Sequence, residues 1–530
     1  SPLVGTKWIF KGIDGTVIKD IVSDTHLDSV TYAFGSLGDY IVELLVESGL
    51  GCTDTATKEF TLRETFTPPA TGYSEGFNAS QGLWTIESET QNASWVWDEP
   101  DFNGFVPSPG DKAWVTQLQD GVIGYLEHSW IQSPCFDLSG MEHPLIQMDI
   151  MKSFASNKNG AVVQYMDVVE EGWKTIGENT PGIEWYNLTD ITNKPGGSSV
   201  GWGLEVFNPD NNWITTAHDM DALAGKPHVS FRVAIVTEGA EGSGNQGFAF
   251  DNIFIAERSK RAVLEHFTNS SDAASAAADI VVDAFGKENS SDIIDIQYHT
   301  DYPGTDPMNE NNPDPSSTRV FNYGIPKVPY AILDGGVSEE FRYDFTDLKT
   351  TPNEDNMKQL TLQVPKFDVD LEVIWLDQIM EATTSVTCNV DHYAENIQLY
   401  VVVFETSVNA YTGINGDTAF RNVVLDMLPT PAGKLLGDNW SKGNNDTRVN
   451  TWIYQPYVED VDDLAVVAFV QDRNSKQILQ AAVQFKTPQV GIGKKPFQMD
   501  ALRIYPNPAR DLVNVNLGRP SERDGRFEII

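Results

Sequence analysis

Apolar and polar residues alternate with a period of two through most of the chain, the pattern of half-buried strands. In "DYIVELLVESGLGCTDTATKEFTL" (39–62) an alternating run, a Gly-containing turn and a second alternating run predict paired strands of a small β-sandwich over 1–65. In "FDVDLEVIW" (367–375), Phe367, Val369, Leu371 and Val373 share one face, and Asp368, Asp370 and Glu372 the other. "QLYVVVFET" and "AVVAFVQD" are apolar almost without interruption, as strands covered on both faces are, so a further sandwich is placed over 366–488. Between 73 and 257, short strands rich in Gly, Asn and Trp predict an all-β sandwich of jelly-roll type. One stretch changes period. After the strand "RAVLEHF" (261–267), Ala276, Ala277, Ile280, Val281, Ala284 and Phe285 recur at three- and four-residue spacing. This is an amphipathic helix ending near Gly286, with Ser270, Ser271 and Asp272 as able N-caps. "DIIDIQYH" (292–299) follows as a strand parallel to the first. The polar insert "TDYPGTDPMNENNPDPSSTR" then leads to a third strand that begins at Val328–Pro329. The fold class is therefore mainly β and multidomain: β-sandwich and jelly-roll domains with one α/β domain.

Length and composition agree with this. At 530 residues the chain exceeds one core and divides into about three to five domains, and 40% hydrophobic residues suffice to fill each. Lys and Arg number 36 against 76 Asp and Glu, a net charge of −40 spread along the chain. Such a surface repels phosphate backbones and anionic lipid, which argues against nucleic acid and membrane surfaces as partners. The longest apolar runs, such as "LAVVAFV" (464–470), fall far below the ~18 residues that span a bilayer, so no transmembrane segment is expected. Cys52, Cys135 and Cys388 fall in three different domains, an odd and dispersed set that is no disulfide framework. A catalytic signature is missing too. No H-E-x-x-H helix occurs, and "GSSVG" (197–201) around Ser199 sits in a glycine-rich loop of an all-β region rather than between a strand and a helix. The carboxylates of "FDVDLE" read as a solvated strand face rather than a metal cluster.

Several stretches resemble known families. "KWIF" (7–10), "VTYAFGSLGDY" (30–40) and the strand after it resemble a PKD domain over 1–65, a spacer or binding module, although its acidic turn is altered to "KGIDG". After the Pro-rich break "TFTPPATGY" (65–73), the pieces "SEGFNASQGLW", "SWIQSPCFDLSG" (129–140) and "GFAFDNIFIAE" (247–257) resemble the MAM-like jelly rolls of secreted bacterial proteins, over 72–257. That resemblance implies a structural Ca²⁺ held by Glu75 and Asp251, with Asp111 as a weaker third ligand; carboxylate oxygens suit this hard cation. Trp95, Trp97, Trp202 and Trp213 are candidates for a sugar-stacking platform, against the plainer role of core packing. "VLEHFTNSS", "YHTDYPGTDPMN", "RVFNYGIPKVPYAILDGG" and a following β-rich region with "VVLDMLPTPAGKLLGD" (423–438) and "DLAVVAFVQDRNSKQILQAA" (463–482) resemble, over 258–488, the thioredoxin-like family of outer-membrane and secreted proteins of bacteria that use type IX secretion, with the thioredoxin-like domain itself placed over 258–365. The two redox-cysteine positions of that fold map onto Asp272 and Ser275. Neither side chain can form a mixed disulfide, so no redox chemistry and no redox cofactor are expected. Pro329 matches the proline before the third strand, which is usually cis in such folds. The sandwich over 366–488 is immunoglobulin-like in general plan.

"LRIYPNPARDLVNVNL" (502–517), with Tyr505, Pro506, Asn507 and Pro508 at its start, resembles the opening of a type IX sorting domain over 497–530. The resemblance implies export by the type IX translocon, with its shuttle and attachment proteins as partners, to the outside of the cell or the outer face of the outer membrane. Ser1-Pro2-Leu3 lacks the basic start and apolar core of a signal peptide, and the sorting domain stops early, so the chain is expected to be a piece of a longer product. The expected function is a non-enzymatic, multidomain surface or secreted protein that binds another surface protein or a glycan, or acts as a scaffold. The alternatives are the accessory region of a hydrolase with an upstream catalytic domain, or a stable component of the secretion machinery.

Overall fold

Strand-period sequence becomes strand almost throughout, and the architecture is mainly β. The computed structural model describes residues 3–24, 29–90, 93–100, 112–116, 127–154, 156–167, 172–179, 181–204, 213–237, 247–346, 351–414, 416–487, 503–505 and 514–516. Contacts divide the chain into two units, one of Ser1–Thr180, Glu184–Glu257 and Lys494–Ile530, the other of Pro181–Ile183 and Arg258–Gly493.

The first unit opens with β1 (Leu3–Gly12), β2 (Val17–Ser23), β3 (Gly38–Ser48) and β4 (Thr53–Leu62), an antiparallel sheet in the order β2-β1-β3-β4. Where the alternation predicts a small sandwich, the described residues form this one sheet. The outer strands β2 and β4 are largely exposed, so they offer no second apolar face for another sheet. The segment before β3 supplies the cover instead: Tyr32 and Phe34 pack against Phe10, Tyr40 and Phe60.

The jelly roll follows in two six-stranded sheets. Its strands are β5 (Thr65–Phe66), β6 (Tyr73–Glu75), β7 (Thr85–Ser88), β8 (Trp95–Asp98), β9 (Ala113–Thr116), β10 (Glu127–Phe136), β11 (Pro144–Ser153), β12 (Gly160–Asp167), β13 (Lys174–Thr175), β14 (Ile214–Asp219), β15 (Val229–Thr237) and β16 (Gly247–Glu257). One sheet runs β13-β12-β15-β10-β5 with β7 also on β10; the other runs β14-β11-β16-β9-β8 with β6 also on β16. Between them lies an aromatic core in which Trp84, Trp95, Trp114, Trp202, Phe248 and Phe250 are buried.

In the second unit β17 (Ala262–Thr268), α1 (Ala273–Glu288) and β18 (Ile293–His299) form a β-α-β unit whose strands pair in parallel, Val263 opposite Ile294 and Phe267 opposite Tyr298. Gly286 lies inside α1 because the helix passes close over β18; a Cβ there would meet the Asp295 carboxylate at 2.7 Å. The polar insert is helical, forming α2 (Pro307–Asn311) and α3 (Asp314–Tyr323), and Asp306 caps α2 through the N–H of Met308. Then come β19 (Tyr330–Leu333), antiparallel to β17, β20 (Arg342–Asp344) and α4 (Glu354–Thr361).

The remaining strands are β21 (Phe367–Trp375), β22 (Ile379–Cys388), β23 (Ile397–Val408), β24 (Phe420–Leu428), β25 (Lys434–Gly437), β26 (Asn445–Ile453), β27 (Leu464–Asp472) and β28 (Ile478–Phe485). The expected boundary between 365 and 366 does not break the sheet. β18 pairs with β24, and one nine-stranded sheet runs β20-β19-β17-β18-β24-β23-β27-β28, with β25 on β23. The three-stranded sheet β21-β22-β26 packs on one face of its second half. This explains the uninterrupted apolar runs: in β23, Leu399, Val401 and Val403 face that small sheet, whereas Tyr400, Val402 and Phe404 join the core that holds Val263, Phe267 and Ile296. Near the C-terminus, β29 (Arg503–Tyr505) and β30 (Asn514–Asn516) pair antiparallel.

Candidate functional site

The C-terminal end of β17 and the first turn of α1 make the place where a thioredoxin-like fold keeps its thiols. Here Asp272 is the N-cap, and its carboxylate accepts from the backbone N–H of Ser275 at 2.8 Å and from the Ser275 hydroxyl at 3.0 Å. One carboxylate thus satisfies an orphan N–H of the helix and the buried Ser275 hydroxyl. Ser275 is fully buried, and its Oγ also accepts from the N–H of Asn269 at 3.3 Å. The two mapped positions are brought together, as partners in a helix cap.

The turn is tied to the loop after β18. Asn269, also fully buried, donates through Nδ2 to the carbonyls of Thr300 (2.8 Å) and Gly304 (2.7 Å). The Asp306 carboxylate accepts from the N–H groups of Ser270 (2.7 Å) and Met308 (2.9 Å), and its Oδ2 lies 2.8 Å from His299 Nδ1. Burial works against its charge, yet the His299 ring and these N–H donors hold Asp306 below the ordinary carboxylate range. Sequence reasoning did not single out Asn269, His299 or Asp306. The Asp-Pro step at 306–307, an N-cap before a proline at the first helical position, is the local signal that marks the last of them.

Beneath this turn, His266 Nδ1 sits 3.5 Å from Asp279 Oδ1, which accepts the Thr268 hydroxyl at 2.8 Å. Burial, with His299 adding, pushes His266 down to about 3, and burial pushes Asp279 up to about 7. Both shifts disfavour the charged forms, the opposite of what a stable ion pair does. The Val328–Pro329 peptide is cis.

Glu75 and Asp251 lie on the paired strands β6 and β16, where Glu75 is opposite Ile253. Each carboxylate already accepts a local backbone N–H, Glu75 from Phe77 at 2.9 Å and Asp251 from Asn252 at 2.7 Å. Asp111 lies outside the described residues. Among the described residues no group of three or more His, Cys, Asp or Glu side chains is placed to hold a metal. Of the four tryptophans considered for sugar stacking, Trp95 and Trp202 are buried at 2% and 0% exposure, and Lys112 Nζ covers the Trp97 ring at 4.2 Å. Trp213 packs at a small core with Val115 and Met151. Ser199 stands in an irregular loop after the turn at 195–197, with no strand-to-helix elbow. The three cysteines are unpaired, Cys52 exposed, Cys135 and Cys388 buried. Tyr505 ends β29, and Pro506, Asn507 and Pro508 lie outside the described residues. No described helix is long and apolar enough to cross a membrane.

No protein-family model matches the sequence, and no curated protein matches it. Among solved structures, the chain is similar to HBP35 of Porphyromonas gingivalis at 14% identity, over 50% of this chain and 86% of that one, with a TM-score of 0.32. It is similar to the K1 cleaved adhesin domain of Lys-gingipain from P. gingivalis W83 at 12% identity, over 35% of this chain and 98% of that one, TM-score 0.23. A domain of the outer membrane lipoprotein Omp28 from P. gingivalis matches at 12% identity, over 24% of this chain and 93% of that one, TM-score 0.17. At these TM-scores the likeness carries no argument about function, which rests on the geometry above.

Proposed function

We propose that the chain is a non-enzymatic, multidomain protein of the cell surface or the secreted fraction, exported by type IX secretion. Its jelly roll recognises a partner, and its thioredoxin-like part serves as a redox-inert scaffold. One observation carries the redox-inert part of this reading: Asp272 and Ser275 are hydrogen-bonded to each other at the head of α1, where a redox enzyme needs two sulfurs. A carboxylate and a buried hydroxyl cannot accept a disulfide sulfur. The interlock of Asn269, Ser270 and Asp306 around them supports a fixed structural turn rather than an open active site.

Two measurements test it. The purified chain is expected to leave insulin disulfides intact in the presence of a dithiol reductant; turnover above the reductant's own rate refutes the inert scaffold. In cells, deletion of 497–530 with any following sorting sequence is expected to trap the protein in the periplasm. Unchanged surface display after that deletion refutes type IX export.

A further inference from the structure

The outer face of β10, β15 and β12 carries an arginine in an unusual setting. Phe231, Val233 and Ile235 of β15 point into the jelly-roll core, so Arg232, between them, projects from the opposite face. Its strand neighbours there are Gln132 on β10 and Gln164 on β12. The guanidinium lies between two half-buried indoles, its Cζ 4.5 Å from the ring centre of Trp130 and 4.5 Å from that of Trp173. Nε donates to Gln164 Oε1 at 2.8 Å. Gln164 is held in turn: its amide donates to the carbonyl of Gly196 at 3.0 Å and to Thr175 Oγ1 at 3.5 Å. Gly196 adopts a positive φ of 55°, and a Cβ at that position would strike Gln164 Oε1. The turn at 195–197 therefore fixes the amide, the amide fixes Nε, and the two indoles fix the guanidinium plane.

The terminal nitrogens are different. Arg232 is 5% exposed, yet among the described residues no carboxylate pairs with it, and no hydrogen bond is made by either Nη. Trp130 Nε1 beside it is enclosed and lacks an acceptor among the described residues. Burial lowers the Arg232 pKa to about 10, with exposed Glu89 acting in the other direction. A desolvated cation whose outer fork meets no partner among the described residues is a group prepared for an anion supplied from outside.

We infer that this face binds the carboxylate of an acidic saccharide, with Arg232 as the anion-binding group and Trp130 and Trp173 as walls against the sugar ring. The guanidinium fork matches a planar carboxylate through two parallel N–H bonds, and indole edges with flanking amides suit a ring that carries hydroxyls. The chain's net charge of −40 opposes approach of an anion from afar, but screening limits this beyond about 8 Å at physiological ionic strength. The inference rests on the binding role proposed above and names its ligand class.

The test uses the purified full chain, calorimetry and indole fluorescence. The probes are a panel of oligosaccharides carrying galacturonate, glucuronate or mannuronate, against neutral oligosaccharides of equal length, sulfated uncarboxylated ones and acidic peptides. At least one uronate probe is expected to bind saturably and to perturb tryptophan emission, and its neutral counterpart to bind roughly 10-fold more weakly or not at all. Arg232→Gln is expected to weaken uronate binding by about 10- to 100-fold, and Trp173→Ala, with Arg232 intact, to weaken it as well. Amide exchange of the core strands, unchanged in either variant, separates loss of ligand from loss of fold. Absence of uronate binding, equal binding of the neutral, sulfated or peptide probes, or binding indifferent to Arg232→Gln overturns the inference. Surface display is measured independently, so a displayed protein that ignores uronates sinks this ligand class alone. A uronate binder that never reaches the surface sinks the localisation instead.

Discussion

In the second unit the buried guanidinium of Arg319 meets a carboxylate through two bonds, whereas in the first the nearly as enclosed guanidinium of Arg232 meets an amide and two indoles. Arg319 donates Nε to Glu265 Oε1 at 2.8 Å and Nη2 to Glu265 Oε2 at 2.6 Å, and Nη1 to Gln471 Oε1 at 3.2 Å. It also lies over the rings of Tyr323 and Tyr400. The same unit pairs Lys260 with Asp334 at 2.9 Å and Arg258 with Asp292 at 2.7 Å, all buried. Taking an ion out of water costs several kcal/mol, offset only where a partner and further hydrogen bonds are in place. The second unit supplies those partners from its own strands and helices. Among the described residues of the first, Arg232 has no such carboxylate, and the proposed contrast is between a charge that holds a fold together and a charge that waits for a ligand.

The largest effect that can break this contrast lies at Arg319. Replacing Arg319 with Met leaves Glu265, at 0% exposure, as an unpaired buried carboxylate and is expected to destabilise the second unit by about 3–5 kcal/mol. Replacing both, with Glu265→Leu, is expected to recover most of the loss, because no charge is then orphaned. Amide exchange of β17, β23 and β27 in the full chain, as a function of urea, reads both. A single replacement that costs no more than a surface substitution would remove the distinction.

Much of this unit was legible in its sequence, but Arg319 was not. The alternation of "FDVDLEVIW" appears as a half-buried β21 with Asp368, Asp370 and Glu372 exposed, and the unbroken apolar runs appear as strands covered on both faces. Such patterns are local and periodic, so they survive without knowledge of the partner. The pairing of Glu265 with Arg319 spans 54 residues and has no local trace. Arg319 lies in an insert whose Pro, Asp and Asn residues read as loop, although several of them cap or begin the two short helices there. The join of β18 to β24 is likewise a long-range register, Gln297 opposite Val423, that periodicity cannot disclose. At the candidate site Asp272 was legible as one of three N-cap candidates and Ser275 only through a resemblance; their mutual hydrogen bond follows from ordinary capping chemistry. Tryptophan alone does not discriminate: Trp95 and Trp202 take the plainer role of core, while Trp130 and Trp173 are half-buried with Arg232 between them.

The second unit also buries charge by neutralising it, and here the expected effect is about 2 kcal/mol. Asp279, raised to about 7 chiefly by burial, keeps its proton in the folded state at pH values where an unfolded aspartate, near 3.8, has lost it. The folded state then binds more protons between about pH 4 and 7, so this stabilisation is complete below the unfolded value and is lost as pH rises through 7. His266, lowered to about 3, has the opposite sign: its contribution grows as pH rises from about 3 to 6.5. Asp279→Asn removes the first contribution and keeps the second. In the parent the two contributions nearly cancel between about pH 4 and 6.5, so stability of the variant is expected to rise relative to that of the parent between about pH 5 and 7, leaving it ahead by about 2 kcal/mol near pH 8. Urea midpoints across that range measure it, and parallel curves would show that Asp279 ionises normally in the fold.

A smaller change tests the Asp272–Ser275 cap. Asp272→Ala leaves the N–H of Ser275 and its buried hydroxyl without their acceptor, at a cost of about 1 kcal/mol. Asp272→Asn, which keeps an acceptor oxygen, is expected to cost less than half of that. The local reading is the exchange rate of the first-turn amides of α1, which should rise in the alanine variant before any global loss of stability.

The smallest expected effect is the most informative. Arg232→Met removes the bond to Gln164 and the contacts with two indoles, each contributing on the order of 1 kcal/mol, but it also removes the desolvation of an unpaired cation, which costs several. These changes oppose one another, so the stability of the jelly roll is expected to move by less than about 0.5 kcal/mol, in contrast to the several lost at Arg319. If Arg232→Met instead unfolds the jelly roll as readily as Arg319→Met unfolds the second unit, the stack of Trp130, Arg232 and Trp173 is a structural pin. A near-neutral substitution that abolishes uronate binding leaves the opposite conclusion: the arginine is kept there at no gain to the fold, and its stabilising partner arrives with the ligand.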